Sequence, residues 1–241
     1  MKKTQHFSCY LLGLLVLSSC GNACKFGPDF YETAYIHDNG SGRFEIVVDL
    51  KKTAKFIKLA RYLNSETPQI VQKAVHTVFR RTAKKLRSVP GITTIATAHD
   101  AELLRFKLSF AFGSIQALNR AMQKIYAHVD QQPLAYFTMD RQALVRVGTR
   151  SMARLIANYQ AYDDLFMASF DLETFFKDTT YQLVYHFDRG VQGAPHKLAR
   201  LTEDHKTVIF KQHVFNTQEK SLSLDHKVVF KTPISARKKR L

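Results

Sequence analysis

Cysteine, glycine, proline and acidic residues are all scarce in this chain, and each shortage removes a class of protein. Three cysteines in 241 residues are too few for a disulfide-stapled scaffold. Ten glycines and six prolines exclude collagen-like and low-complexity chains. Sequence signatures of several enzyme classes are also missing: there is no HExxH, CxxC, GxSxG, Walker-type glycine loop or GxGxxG. No apolar run is long enough to span a bilayer as a helix. Twenty acidic residues against 36 Lys and Arg leave a formal charge of +16. The hydrophobic content of 45% is ordinary for a folded chain and argues against wholesale disorder.

What is present begins at the N-terminus. Met1-Lys2-Lys3 is a basic start, and Tyr10 to Leu17 is a short apolar run followed by Ser18-Ser19-Cys20. That order reads as a secretion signal rather than a buried helix ending in cysteine. Leu17-Ser18-Ser19-Cys20 resembles the lipobox of bacterial lipoproteins. The resemblance implies a lipid on the Cys20 thiol and cleavage just before it. Gly21-Asn22-Ala23-Cys24 is a poorer match, with Gly in the place of Leu. Loss of residues 1–19 leaves a charge of +14 and strands Cys24 beside the lipid without a disulfide partner, a poor place for a nucleophile. Two or more acyl chains anchor a protein stably without spanning the membrane. Gly21, Asn22 and Ala23, just after Cys20, include no acidic residue, so the expected location is the outer membrane, facing the periplasm.

Residues 20–29 read as a lipidated tether, 30–235 as one domain and 236–241 as a basic tail. Within the domain, Tyr31–Ile36 and Arg43–Leu50 are strand-like and joined by Asp38-Asn39-Gly40-Ser41-Gly42, a strong turn sequence. Phe44, Ile46, Val48 and Leu50 share one face. Residues 51–64 have a helical tendency. A clearer helix runs from Thr67-Pro68 to a stop at Pro90-Gly91, with an apolar stripe of Val71, Val75, Val78, Phe79 and Leu86. Ile92–Thr97 and Leu103–Phe112 are strand-like, and Ser114 caps a helix buried through Ile115, Leu118, Met122 and Ile125. Leu134–Met139 and Ala143–Val147 are strand-like, 151–176 helical, and Tyr181–Phe187, Thr207–Phe215 and Leu222–Phe230 strand-like. The expected class is α+β: an antiparallel sheet of hairpins interleaved with helices, with a strand-rich last third. The Asp38–Gly42 hairpin behind Cys20 resembles uncharacterised envelope lipoproteins that open with a "dGsG" hairpin, and distantly the LppM type. The LppM resemblance implies an association with membrane lipids.

Chemistry is sparsely signalled. His37, His76, His128, His186, His205, His213 and His226 fall on separate elements, so exposed or half-buried imidazoles are expected rather than a metal site. Asp163 and Asp164 are adjacent, and in a helix they diverge by about 100°, which suits solvation better than acid–base work. Neither a cofactor nor catalysis is expected, although distant residues can converge on a site.

Charge says more. Residues 51–90 carry eleven Lys or Arg and a single acid, Glu66. Lys73, Arg80, Lys84 and Arg87 fall on one helix side, a candidate surface for anionic lipid headgroups or an acidic envelope partner. A solvated helix face, with stems over apolar neighbours, is the plainer account of any one of them. Nucleic acid is not expected as a partner of an exported chain. Three functions remain open: an envelope binding or assembly component, a lipid carrier lined by some of the eighteen Phe, and an envelope hydrolase.

Overall fold

Alternating apolar residues settle which side of the main sheet faces inward. The computed structural model describes residues 27–54, 67–100, 102–127, 133–148, 178–214 and 223–231, with backbone alone for 67–74. Strands β1 (Asp29–Ile36) and β2 (Gly42–Asp49) form the expected hairpin, in antiparallel register from Asp29 opposite Asp49 to Ile36 opposite Gly42. Its turn follows from side-chain chemistry. Asn39 Oδ1 accepts from the Ser41 N–H at 2.9 Å and from Ser41 Oγ at 2.7 Å. Gly40 takes φ +79°, and a Cβ on Gly42 would stand 1.9 Å from the Tyr35 carbonyl oxygen. β1 opens at Asp29, so Gly27, Pro28 and Asp29 are buried residues of the body, within the stretch read as a tether.

After a short 3-10 turn (Lys51–Thr53) comes helix α1 (Thr67–Leu86), then β3 (Ile92–Asp100), β4 (Arg105–Phe112) and helix α2 (Ile115–Ile125). The Ser114 hydroxyl accepts from the Ala117 N–H at 3.2 Å and caps α2, as its sequence position predicts. Strands β5 (Phe137–Met139), β6 (Ala143–Arg146), β7 (Thr180–Phe187), β8 (Val191–Gly193), β9 (Ala199–Leu201), β10 (Thr207–His213) and β11 (His226–Phe230) complete the described elements. β8 and β9 are too short to leave a periodic signature. The helical stretch read at 151–176 lies outside the described residues, as do the two termini and all but the start of 51–64.

The class is α+β, and the strands form two sheets. The larger has seven strands in the order β3-β4-β2-β1-β7-β10-β9, the smaller four in the order β5-β6-β11-β8. All pairs are antiparallel except β1 with β7, which run parallel from Asp29 beside Thr180 to Ile36 beside Phe187. This departs from an all-antiparallel sheet, because β7 closes onto β1 across some 150 residues and no hairpin dictates its direction. Asp29 secures that junction by accepting from Thr180 Oγ1 at 2.6 Å and Lys52 Nζ at 2.7 Å.

The inner face of the larger sheet is covered in two parts. Over the β4–β2 side, Phe44, Phe106, Leu108, Phe110 and Phe112 meet Phe79, Ala83 and Leu86 of α1 and Leu118 and Met122 of α2. Over β1, β7 and β10 lies the smaller sheet: Phe137 meets Tyr185 edge-on, and Phe230 meets Phe187. Val78, expected in the apolar stripe, is instead 49% exposed, and Ala83 takes its place in the core. Leu134 is 98% exposed and precedes rather than begins β5. Outside the core, Arg189 ties the first hairpin to the smaller sheet: its Nε donates to Asp38, its Nη1 to the Arg141 carbonyl, and its guanidinium lies over Phe230.

Packing sets a contrast that urea unfolding reads directly. Phe110→Ala empties a fully buried ring site and is expected to cost about 3–5 kcal/mol. Val78→Ala is expected to stay within about 0.5 kcal/mol of the parent. A comparable loss in both would mean that α1 is seated on its Val78 side.

Candidate functional site

Two features stand apart from ordinary packing: a carboxylate inside the core and, outside it, a run of cations without ion pairs among the described residues. The first arises from the pleat of β1. Phe30, Glu32, Ala34 and Ile36 share the inner side, so alternation carries Glu32 into the apolar interior, where it is 4% exposed. Arg146, the last residue of β6, is 1% exposed and donates from Nη2 to Glu32 Oε2 at 2.7 Å. The other carboxylate oxygen accepts from two phenols, Tyr126 at the end of α2 and Tyr181 of β7. Arg146 Nη1 donates to the Tyr185 hydroxyl at 2.9 Å, and its guanidinium carbon lies 5.1 Å from the Phe137 ring centre.

Burial raises the pKa of every phenol in the cluster. Tyr126 and Tyr181 are pushed well above the ordinary tyrosine value by desolvation first and the Glu32 charge second. Desolvation takes Tyr185 up to about 12, although Arg146 beside it pulls the other way. For Arg146, burial opposes the charged form, but Glu32 and the three phenols outweigh it and hold the guanidinium protonated. The phenols are therefore neutral at pH 7, Tyr126 and Tyr181 donating to Glu32 and Tyr185 accepting from Arg146. A carboxylate that accepts from a guanidinium and two phenols has little left to offer a substrate. The arrangement suits locking elements together more than acid–base chemistry.

His226 completes the cluster from β11, where it is the register partner of Arg146. Its ring stacks on Phe210 at 3.9 Å between centres, and Nδ1 lies 2.6 Å from the Leu224 carbonyl oxygen. Donation to that carbonyl puts the proton on Nδ1. Nε2 has no hydrogen-bond partner among the described residues, and neither has Arg146 Nε. Desolvation, and then the Arg146 charge, lower the imidazole pKa from 6.5 to about 3. His226 is thus buried and neutral, a correction to the expected exposed or half-buried histidines: its cross-strand partner is set by β6, which nothing near residue 226 announces.

The second feature is α1. Arg80, Lys84 and Arg87 are exposed, as are Arg81 and Lys85. None of these five takes part in an ion pair among the described residues. Lys73 lies on the same helix at a position where only the backbone is described. Cys20, Cys24, His128, Asp163 and Asp164 lie outside the described residues. Of the remaining histidines, His37 pairs with Asp188 at 3.0 Å, His76 lies against His99, and His186 contacts Thr207 Oγ1 at 3.0 Å. Among the described residues no group of three His, Cys, Asp or Glu is placed to hold a metal ion. No helix among them is long and apolar enough to cross a membrane.

No protein-family model matches the chain, and no curated protein matches it. Among solved structures, the folded domain of LppM from Mycobacterium tuberculosis is similar at 7% identity, over 86% of this chain and 91% of that one, with a TM-score of 0.43. Overlap at that level carries no argument about this chain.

Sequence pattern does not reveal the cluster, because the hairpin turn marks β1 without fixing which of its faces lies inward. A glutamate at an inward position between Phe30 and Ala34 was the available signal.

Two outcomes test the cluster. Glu32→Leu and Arg146→Met singly each leave a buried partner uncompensated and are expected to cost about 3–5 kcal/mol, while the double variant costs less than either. Additive losses in urea unfolding would show that the pair is not coupled. The second outcome concerns pH. With a folded pKa of about 3 against an ordinary 6.5, His226 takes up its proton in the unfolded chain first. Stability on its account is complete above pH 6.5 and drains away toward pH 3, at up to about 1.4 kcal/mol per pH unit. His226→Phe should therefore have a flatter stability profile than the parent between pH 6.5 and 5. Parallel profiles would place the imidazole in contact with water.

Proposed function

We propose that the protein is a lipid-anchored envelope lipoprotein, facing the periplasm from the outer membrane, that acts as a non-catalytic binding and assembly component. In this reading Cys20 carries the lipid and the cationic side of α1 meets an anionic membrane surface. The observation that carries the reading is the isolation of the α1 charges. Arg80, Arg81, Lys84, Lys85 and Arg87 are exposed with no ion-pair partner among the described residues, whereas Glu45 alone engages both Arg43 and Lys107. Near an anionic lipid surface each such side chain is worth roughly 1 kcal/mol. The short apolar run ending at Cys20 supports the anchor.

Neither alternative gains a specific observation. Phe44, Phe106, Phe110, Phe137 and Phe210 belong to the packed core, which supports their reading as core rather than as lining for a lipid. The Glu32 cluster has a plain account as a lock, which gives a hydrolase no starting point.

Intact mass of the membrane-extracted protein tests the anchor. Loss of residues 1–19 with added diacylglyceryl and acyl mass is expected, and Cys20→Ala should lack both changes. An unmodified full-length chain in the soluble fraction would sink the assignment. The surface is tested in the Cys20→Ala background, where the lipid no longer holds the protein to every vesicle. Partitioning to phosphatidylglycerol vesicles should fall at least about tenfold in Arg80→Glu/Lys84→Glu/Arg87→Glu and weaken with salt. Equal binding by parent and variant, or equal binding to neutral phosphatidylcholine vesicles, would exclude this role for α1.

A further inference from the structure

The larger sheet ends in an open strand. Among the described residues, β3 pairs with β4 on one side and with no strand on the other. The other end strands of the two sheets, β9, β5 and β8, have three residues each, too short to present much backbone. β3 has nine, and Ala96, Thr97, Ala98, His99 and Asp100 are all exposed. An exposed edge offers unpaired N–H and C=O groups to any extended chain, and native proteins commonly blunt it with Lys, Pro, a bulge or a covering element. Here a bulge between Thr93 and Ala96, with Thr94 at φ +50°, disturbs only the first part of the strand. From Ala96 to His99 the sequence Ala-Thr-Ala-His has neither proline nor fixed charge, and its small residues leave the backbone accessible.

Charge around the edge selects the partner. Thr97 and His99 lie opposite Leu108 and Phe106, so they belong to the helix-covered side of the sheet. The His99 ring stacks on Phe106 at 4.3 Å, and His76 of α1 lies 6.5 Å from His99. His76, Arg80, Lys84 and Arg87 follow at steps of four, four and three residues, so they share one side of the helix. His76 is the member set nearest β3, so the side it shares is the one turned toward that edge at His99. Arg80, Lys84 and Arg87, all exposed and without ion pairs among the described residues, share that side of the helix. Symmetric pairing of β3 with β3 of a second copy would set two such cationic rows against each other. An extended segment carrying carboxylates on alternate residues meets both demands, since its backbone continues the sheet and its acids reach the helix side.

We infer that the β3 edge is a strand-addition site for an extended acidic segment of a partner protein, which pairs with Ala96–Asp100 and places its carboxylates against Arg80, Lys84 and Arg87. This goes beyond the membrane reading: the two share the α1 cations, but only this one needs the edge.

The test uses the full Cys20→Ala chain and a capped nine-residue peptide alternating Glu with Val and Thr, beside a control with Lys for every Glu. The Glu peptide should bind, slow hydrogen exchange at the backbone amides of Ala96–Asp100, and lose at least tenfold in affinity in Arg80→Glu/Lys84→Glu/Arg87→Glu. Successive residues of an edge strand point their N–H groups alternately to the neighbour and outward, so one of Thr97→Pro and Ala98→Pro blocks the edge while sparing the ladder to β4. The variant that stays folded should lose the peptide and keep its vesicle binding. Equal binding of the Lys peptide, or binding without protection of β3 amides, would overturn the proposal. Concentration-dependent protection of β3 in the protein alone, with a dimer in sedimentation, would assign the edge to a second copy instead. Should both proline variants unfold, the exchange pattern of the parent still decides. Peptide binding with β3 protection but no vesicle binding would remove the membrane reading and leave this one, and the reverse result would do the opposite.

Discussion

The Glu32–Arg146 ion pair is the constraint on which the arrangement of the two sheets depends. Two charges taken from water cost several kcal/mol each unless they meet with good geometry. That geometry exists only when β1, β6, β7 and the end of α2 are all in place, because Tyr181, Tyr185 and Tyr126 supply the remaining hydrogen bonds. An apolar substitute would tolerate a shifted smaller sheet, whereas a buried guanidinium would not. The pair therefore contributes more to selecting one packing of the sheets than to net stability. His226 adds to this selection, since its neutral ring fits beside Arg146 only while it remains unprotonated.

In the described part of the chain, acids are engaged near the sheets: Asp29 with Lys52, Glu32 with Arg146, Glu45 with Arg43 and Lys107, Asp38 with Arg189. These pairs hold strands and turns together. Arg80, Arg81, Lys84, Lys85 and Arg87 of α1 make no ion pair among the described residues, and apolar side chains that include Val75, Phe79, Ala83 and Leu86 seat the helix. With no ion-pair partner among the described residues, the charge of these five is the part of the described surface best placed to act on something outside the fold. The open edge of β3 lies on the same side of the molecule as part of that charge, which joins a backbone template to an electrostatic preference.

Local patterns carried a good part of the fold. The Asp38–Gly42 turn, the alternation from Leu104 to Phe112, the Ser114 cap and the end of α1 near Pro90-Gly91 were all readable, because each depends on neighbours within a few residues. Strand boundaries drifted by a few residues, and β8 and β9 went unseen at three residues apiece. Val78 misled because helical periodicity gives the width of an apolar stripe but not which of its margins is covered. Of the candidate surface residues, Arg80, Lys84 and Arg87 are where helical spacing put them, exposed on α1.

Short-range pattern supplied the material: a basic helix, a tight hairpin, strands with one apolar face and an N-terminal apolar run followed by Ser18-Ser19-Cys20. These follow from short-range rules of propensity, period and turn chemistry. Long-range packing alone sets β7 parallel to β1, joins Glu32 to Arg146 across 114 residues and leaves β3 at the edge of the described sheet. Each of those is a choice among partners distant in the chain, settled by which pairing buries the apolar faces together while leaving no charge unmatched inside.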